Sequence, residues 1–412
     1  MKIAVWHNLP SGGGKRALYD HVKGLVARGH TLEAWCPPTA DQSYLPLNEL
    51  ITEHVVPLSY SPRTTKNRAS EIAALYRDVA DKIAAMDEHC RLCAEEINRG
   101  GFDLLFANSC WIQAVTSIGH SVNIPKILYL QEPFRMLYEA NPELPWIAAP
   151  KVKNIWQPGN LKRFPRDLMQ LQGLRVRARE EARNAKAFDA ILVNSLFSRE
   201  SLLRAYGVNA KVCYLGIDTH KFVNRHLGRE PFVVGVGSLM RHKNIRFVVE
   251  ALAQVSMVKP RLVWVGNASD PAYVKELTEL ARSAGVVFEP KVRIDDTEIV
   301  ELLNRALMML YAPRLEPFGY APLEANACGA PVVAVAEGGV RETIVNDVNG
   351  LLVESEPQAM TVAIETLMND EAYARRLGET GCELVNKQWS LDAAIDRIEQ
   401  RFAEVVALKA LP

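Results

Sequence analysis

The sequence predicts an α/β chain of two doubly wound domains, each a parallel sheet with helices on both faces. Three observations predict it. The length, 412 residues, exceeds what a single hydrophobic core usually organises. Short apolar runs alternate with amphipathic stretches along the whole chain. Most of those runs are continuously apolar, as strands covered on both faces are, rather than alternating.

Taken in order, the first half offers strands at Lys2–Trp6, Leu32–Trp35, Phe102–Ala107, Lys126–Leu130, Asp189–Val193 and Lys211–Leu215. The second half offers Phe232–Gly237, Arg261–Val265, Val286–Glu289, Ala306–Tyr311, Pro331–Val335 and Leu351–Val353. Helical spacing fills the gaps. Ile72, Leu75, Tyr76, Val79 and Ile83 form one stripe, and Ile245, Val248, Val249, Leu252 and Val255 another. The polar stretch between Phe222 and Pro231 marks the junction, giving domains of 1–225 and 226–388. A final helix within 389–412, opened by Ser390, is expected to pack back on the first domain. Ligands of such domains bind at the carboxyl ends of the strands.

Composition narrows the function. Lys+Arg and Asp+Glu are equal at 48 each, so no global charge draws the chain to nucleic acid. The N-terminal apolar run is shorter than a signal peptide requires, and no stretch reaches membrane-spanning length. The seven cysteines are scattered, and the Cys90/Cys93 pair lacks a second pair to complete a zinc site. Reduced thiols in a cytoplasmic protein are expected, without a zinc site.

The first strand leads into HNLPSGGGKRA. Gly12, Gly14 and Ala17 satisfy G-x-G-x-x-A, and Glu33 follows about twenty residues on, which is formally a dinucleotide fingerprint. An NAD-dependent oxidoreductase is therefore one reading, although His7–Ser11 separate the glycines from the strand. The other is that Gly12, Gly13 and Gly14 bring bare backbone amides close to a substrate in an interdomain cleft.

The second half carries the richer constellation. Gly237 ends a strand, and Arg241 and Lys243 follow just before a helix, where two cations could neutralise a departing diphosphate. Gly266 and Asn267 end the next strand. Then comes Glu316-Pro317-Phe318-Gly319-Tyr320-Ala321-Pro322-Leu323-Glu324. Its two carboxylates suit sugar and ribose hydroxyls, and the helix opening between them suits phosphate. Taken singly, these residues also read as solvated loop cations, a tight turn and a helix-dipole carboxylate.

Taken together, the string resembles the retaining glycosyltransferases of family four, which adopt the GT-B fold of two Rossmann-like domains facing a cleft. Glu316 to Glu324 looks like that family's E-x7-E motif. Further likeness lies in Gly12–Gly14 with Arg28-Gly29-His30, in Asn194-Ser195-x-Phe197-Ser198, in Tyr214-Leu215-Gly216-Ile217-Asp218 and in Gly338-Gly339-x-x-Glu342. The resemblance implies that Glu324 holds the donor's ribose, and that Glu316 faces the transferred sugar. It also implies that the amides of Phe318–Leu323 bind hydroxyls and phosphate, that Arg241 and Lys243 grip the diphosphate, and that Lys291 and Val292 lie near the base. The family is usually metal-independent, so the resemblance implies no metal and no cofactor, the nucleoside-diphosphate sugar being the donor substrate, and Asp295-Asp296 reads as a surface loop. Two departures stand out. Ser238 occupies the position where many members carry arginine. Gln131 occupies a histidine position in the run Gln131-Glu132-Pro133-Phe134-Arg135, which is similar to the HEPPR-type loop of a mannosyltransferase-containing subgroup.

The expected reaction is transfer of a hexose, with retention, from GDP-mannose or a UDP-sugar to a glycan, lipid-linked or small-molecule acceptor. Gly12–Gly14, Gln131, Glu132 and Arg135 would line the acceptor side. Lys151–Lys186 holds ten Lys/Arg against three Asp/Glu, with Trp156 and Phe164, and so reads either as a contact with an anionic membrane's inner face or as a solvated hairpin. A nucleotide-sugar epimerase, a sugar phosphorylase and a non-catalytic nucleotide-sugar-binding protein are the remaining alternatives.

Overall fold

The computed structural model describes residues 1–61, 64–139, 144 and 158–409, with the backbone alone for 158–162. The chain divides into two compact units. The first comprises Met1–Asn194, Ser198–Cys213 and Ile395–Pro412, and the second Ser195–Phe197 and Tyr214–Ala394.

The strands of the first unit are β1 (Lys2–Asn8), β2 (Thr31–Cys36), β3 (Thr52–Val55), β4 (Leu104–Cys110), β5 (Lys126–Tyr129), β6 (Ala190–Val193) and β7 (Lys211–Val212). Its helices are α1 (Gly13–Ala27), α2 (Arg68–Arg99), the short α3 (Arg135–Tyr138), α4 (Pro158–Ala185) and α5 (Leu196–Tyr206), whose opening turn belongs to the second unit. The seven strands run in the order β3-β2-β1-β4-β5-β6-β7, all parallel. The order reverses between β1 and β4, so the carboxyl ends there are where a doubly wound sheet opens to a ligand.

The second unit has β8 (Glu230–Val236), β9 (Arg261–Gly266), β10 (Phe288–Val292), β11 (Ala306–Tyr311), β12 (Val332–Val335) and β13 (Gly350–Val353). Its helices are α6 (Ile245–Ala253), α7 (Pro271–Ser283), α8 (Asp296–Arg305), α9 (Tyr320–Ala327), α10 (Val340–Thr343), α11 (Pro357–Asn369) and α12 (Glu371–Gln388). The parallel order β10-β9-β8-β11-β12-β13 reverses between β8 and β11. Val233, Trp264, Leu310 and Val333 on the sheet pack with Val248, Leu252, Leu277 and Ile364 from the helices, and all are buried. The helix α13 (Leu391–Lys409) closes the chain.

Three features depart from the expected pattern, the first being that the expected strand Lys211–Leu215 is paired only over Lys211–Val212. Strand β3 was missed because its sequence, TEHV, is polar and Val55 stays exposed, as befits an edge strand. The expected strand Val286–Glu289 starts later, at Phe288, so Lys291 and Val292 lie inside β10 rather than after it.

The chain passes to the second unit at Tyr214, ahead of the polar stretch at 223–231. Tyr214–Phe222 stays there because Ile217 bridges to Ser390, and a Cβ on Gly216 would lie 2.2 Å from the Ser390 carbonyl oxygen. From Ile395 on, α13 belongs to the first unit. Ile395 fills the notch at Gly24, Phe402 meets Phe106 at 5.1 Å between ring centroids, and Arg28 binds Asp396 and Glu399.

Candidate active site

In the second unit the decisive contact joins two segments 73 residues apart. The Lys243 ammonium donates to both carboxylate oxygens of Glu316, at 2.9 and 2.8 Å. Both side chains are largely covered, with 16% and 21% exposed. Lys243 ends a single 3-10 turn, Arg241–Lys243, and Asn244 in the left-handed region (φ 55°) swings the chain into α6.

The Glu316 loop is shaped by close backbone approach. Gly319 takes φ 93°, which L side chains avoid, and a Cβ there would lie 2.8 Å from the Tyr311 hydroxyl. On the other side, the Gly339 amide donates to the Glu316 carbonyl at 2.8 Å. A Cβ on Gly338 would lie 2.3 Å from that carbonyl oxygen, and one on Gly339 2.1 Å from the Pro317 oxygen. The Ser195 hydroxyl donates to the Pro317 carbonyl at 2.5 Å. Gly319 is then the N-cap of α9, whose first amides lack intrahelical acceptors. The loop thus delivers a carboxylate, its lysine partner and a helix N-terminus to the carboxyl edge of this sheet.

Other expected donor residues fall in different settings. Arg241 points over the Tyr273 ring at 4.8 Å and pairs with Glu276 at 2.6 Å, so its guanidinium rests on α7. Glu324 occupies the second turn of α9, not the first, and is 4% exposed, so a simple helix-dipole role does not describe it. Pro317, Phe318, Tyr320, Ala321, Pro322 and Leu323 form the loop and first turn that lead to it. Gly237 and Gly266 serve each other, because a Cβ on Gly266 would lie 2.6 Å from the Gly237 oxygen, which already accepts from the Trp264 indole at 2.8 Å. Asn267 is exposed beside them. Lys291 pairs with Glu298 and Glu289, and Val292 is 45% exposed at the end of β10. Asp295 caps α8 through the Glu298 amide at 2.8 Å, and Asp296 pairs with Lys221, which gives both carboxylates structural partners.

In the first unit, Gly12 (φ 144°) is the N-cap of α1, and Gly13 and Gly14 are its first residues rather than a free loop. A Cβ on Gly14 would lie 3.6 Å from the Gln131 side-chain nitrogen, so the structure brings the glycines and Gln131 together. Glu132 and Glu139 flank Arg135 at 3.3 and 3.0 Å.

Sequence profiles put these units in a known context. The profile described as Glycosyltransferase Family 4 matches residues 11–221, and that described as Glycosyl transferases group 1 matches residues 216–383. The chain belongs to glycosyltransferase family 4. It is 29% identical over 253 residues to the D-inositol 3-phosphate glycosyltransferase of Xylanimonas cellulosilytica, covering 56% of this chain and 60% of that one. It is 28% identical over 195 residues to the alpha-1,3/1,6-mannosyltransferase ALG2 of Mus musculus, covering 43% and 46%. The chain thus spans less than two thirds of the length of these relatives. The crystal structure of Anabaena HepE in complex with UDP-glucose superposes with a TM-score of 0.65 at 21% identity, over 98% of this chain and all of that one. This likeness identifies the fold as GT-B.

Family membership disfavours the dinucleotide reading, and geometry gives an independent reason. Glu33 is the third of six residues in β2 and pairs with Lys2 and His54. The fingerprint acid belongs at the strand's carboxyl end, where this family 4 chain has Cys36.

The remaining family motifs have structural work. Glu342 accepts from the Leu196 and Phe197 amides at 2.7 and 3.0 Å and from the Tyr214 hydroxyl at 2.9 Å, tying three of the sequence motifs into one cap. Sequence reasoning missed Arg229, whose half-buried guanidinium binds the carbonyls of Leu303, Asn304, Ala306, Cys328 and Gly329 and so staples the ends of α8 and α9. It also missed a buried polar group under α1. His7 binds Glu53 at 2.8 Å, Cys36 lies 3.6 Å from the same carboxylate oxygen, and Lys15 is wholly buried beside them. Burial pushes His7 and Lys15 down. Burial and the Glu53 charge push Cys36 up to about 12. For Glu53, burial acts upward, but the His7 hydrogen bond and the nearby charges leave it below the usual value. The ligand atoms of His7, Cys36 and Glu53 lie within 4.8 Å of one another, the one potential metal cluster among the described residues. The Lys15 charge beside them opposes a dication there.

Proposed function

We propose that the protein is a retaining glycosyltransferase that moves a hexose from a nucleoside-diphosphate sugar to an acceptor hydroxyl. The observation that carries this reading is the Lys243–Glu316 pair, three residues before the α9 N-cap. When the donor enters, Lys243 shifts its hydrogen bonds toward the diphosphate, and Glu316 accepts from sugar hydroxyls in its place. The first amides of α9 face the same negative charge, and Glu324 holds the ribose. The bond from the anomeric carbon to the diphosphate oxygen breaks, and the acceptor oxygen bonds to the same face of that carbon. Its proton passes to the departing phosphate. No metal takes part, because a lysine and a helix N-terminus supply the positive potential. Arg241 joins the diphosphate only by leaving Glu276.

The donor is GDP-mannose or a UDP-sugar. A mannosyltransferase and a UDP-glucose complex among the similar proteins support that pair of candidates. The acceptor is a glycan, a lipid-linked sugar or a small molecule, bound on the first unit by the Gly12–Gly14 turn, Gln131, Glu132 and Arg135. No helix among the described residues is long and apolar enough to cross a membrane. We place the enzyme in the cytoplasm, peripheral to the inner face of a membrane. Residues 151–157 of the basic stretch, Trp156 among them, lie outside the described residues.

A thermal-shift panel of UDP-, GDP- and ADP-sugars tests the reading. At a hundredfold excess over Kd, the matching donor should stabilise the protein by about 2.7 kcal/mol. Product analysis with radiolabelled donor should then show transfer rather than isomerisation. A protein stabilised by no nucleotide sugar would refute the proposal.

A further inference from the structure

The first unit presents a helix face that the transferase chemistry does not use. Phe164, Leu168 and Leu171 are 65%, 46% and 40% exposed on α4. Their spacing of four and three places them on one line along the helix, Arg175 and Arg179 continue that line within about 60° at roughly 100° per residue, and Lys186 follows directly after the helix end. The opposite side is the packed one. A Cβ on Gly173 would lie 3.2 Å from Val79 of α2, Val176 is buried, and Glu181 is fully buried. The ridge is therefore apolar in its first half and cationic in its second.

The charge on it is one-sided. From 163 to 186 the chain carries seven Lys/Arg and three Asp/Glu. Each of the three acids is held by an arginine of the same helix, Glu181 by Arg177 at 3.0 Å, Glu180 by Arg179 at 2.6 Å and Arg183 at 3.4 Å, and Asp167 by Arg163 at 3.3 Å, which leaves Arg166, Arg175 and Lys186 as the excess charge. Arg175 and Lys186 make no ion pair among the described residues. Beside the cationic half lies an open recess of about 560 Å³, lined by His120, Arg179, Ala182, Arg183, Lys186 and Ala187. A helix with bulky apolar residues on one line and cations continuing it matches the interface of an anionic bilayer, where apolar side chains enter the headgroup layer and cations meet phosphate.

We propose that this ridge of α4 is the surface that docks onto an anionic phospholipid bilayer. Phe164, Leu168 and Leu171 insert, while Arg175 and Lys186, the cations of this line without an ion pair among the described residues, meet lipid phosphates. This rests on the peripheral placement given above and deepens it by naming the contact. A second copy of the chain is a poorer occupant, because two such faces would oppose cation to cation.

Vesicle co-sedimentation of the full chain tests it, using phosphatidylcholine alone and phosphatidylcholine mixed with phosphatidylglycerol. The unmodified protein should bind the anionic vesicles, leave the neutral ones, and lose most binding as salt rises from roughly 0.05 to 0.3 M. The variant F164S/L168S/L171S should bind about thirtyfold more weakly. The variant R175Q/K186Q should lose the preference for anionic lipid. These side chains are exposed, so both variants should keep the unmodified thermal midpoint and the same shift with nucleotide sugar. Equal binding to both vesicle types, undiminished binding by the serine variant, or a dimer that the serine variant dissolves would each overturn the proposal. Vesicle binding without any donor response would strike the transferase reading and leave this one standing.

Discussion

Replacing Lys243 by alanine separates a structural ion pair from a catalytic one. In the free protein the side chain makes two charge-assisted hydrogen bonds to Glu316, both partners being mostly covered. Its loss leaves a partly buried carboxylate without that cation, which should lower stability by about 1–3 kcal/mol. If Lys243 also stabilises the departing diphosphate, a second loss appears in the rate. One preorganised stabilising group is worth about 10²-fold or more in turnover, close to 3 kcal/mol at the transition state. The companion Glu316→Gln keeps the shape and removes the charge, and the double variant closes a cycle. Chemical denaturation reads the stability arm, and initial rates at saturating donor read the other. The stability effects should be coupled, since each single change removes the same pair. The turnover loss of Lys243→Ala should persist in the Glu316→Gln background, because the diphosphate contact does not pass through the carboxylate. Stability lost with turnover intact would reduce Lys243 to a structural role and refute the reasoning.

Three further outcomes are expected. Glu324→Ala should raise the donor Kd by at least about tenfold, as loss of a charged hydrogen-bond acceptor does, while the fold persists by circular dichroism; an unchanged Kd from calorimetry would remove Glu324 from the donor site. Gly339→Ala should destabilise by roughly 1–3 kcal/mol and depress turnover, because the new methyl would lie 2.1 Å from the Pro317 oxygen on the loop that carries Glu316; a variant with unchanged unfolding and rate would show that the loop gives way freely. His21 is buried between Tyr129 and Phe106, neither ring nitrogen has a hydrogen-bond partner among the described residues, and burial lowers its pKa to about 4. The unfolded chain then binds the extra proton first as pH falls, so stability should drop by roughly 3 kcal/mol between about pH 6.5 and 4. His21→Leu should flatten that part of the denaturation profile, and an unaltered slope would assign the acid sensitivity elsewhere.

Much of this architecture was legible because its strands are covered on both faces and so read as unbroken apolar runs. β3 escaped because an edge strand owes its pairing to Trp35 and Cys36 on its neighbour rather than to its own apolar content. The Glu316–Glu324 string was legible as a candidate site because glycine and proline fix the loop locally. Its partner was harder to single out. Arg241 and Lys243 share one short turn, and sequence gives no reason to prefer either. The structure distinguishes them through Glu276 and Tyr273, which lie on α7 and capture Arg241. The group around Lys15 was illegible for a related reason. A lysine after three glycines looks like a solvated residue until β1, β2 and β3 are seen to bring His7, Cys36 and Glu53 beneath it.

The same contrast gives the glycine motifs their meaning. Gly338 and Gly339 carry no side chain to touch a ligand, yet the Glu316 loop can approach the start of α10 only because they lack one. Glu342, three residues on from Gly339, fastens the start of α5 and Tyr214 to the same turn. A motif that reads in sequence as a string of candidate ligands is thus partly a brace, holding one carboxylate against one lysine. Substitutions in the brace should therefore lower stability and turnover together, whereas substitutions at Lys243 in a Glu316→Gln background should act on turnover with little further loss of stability.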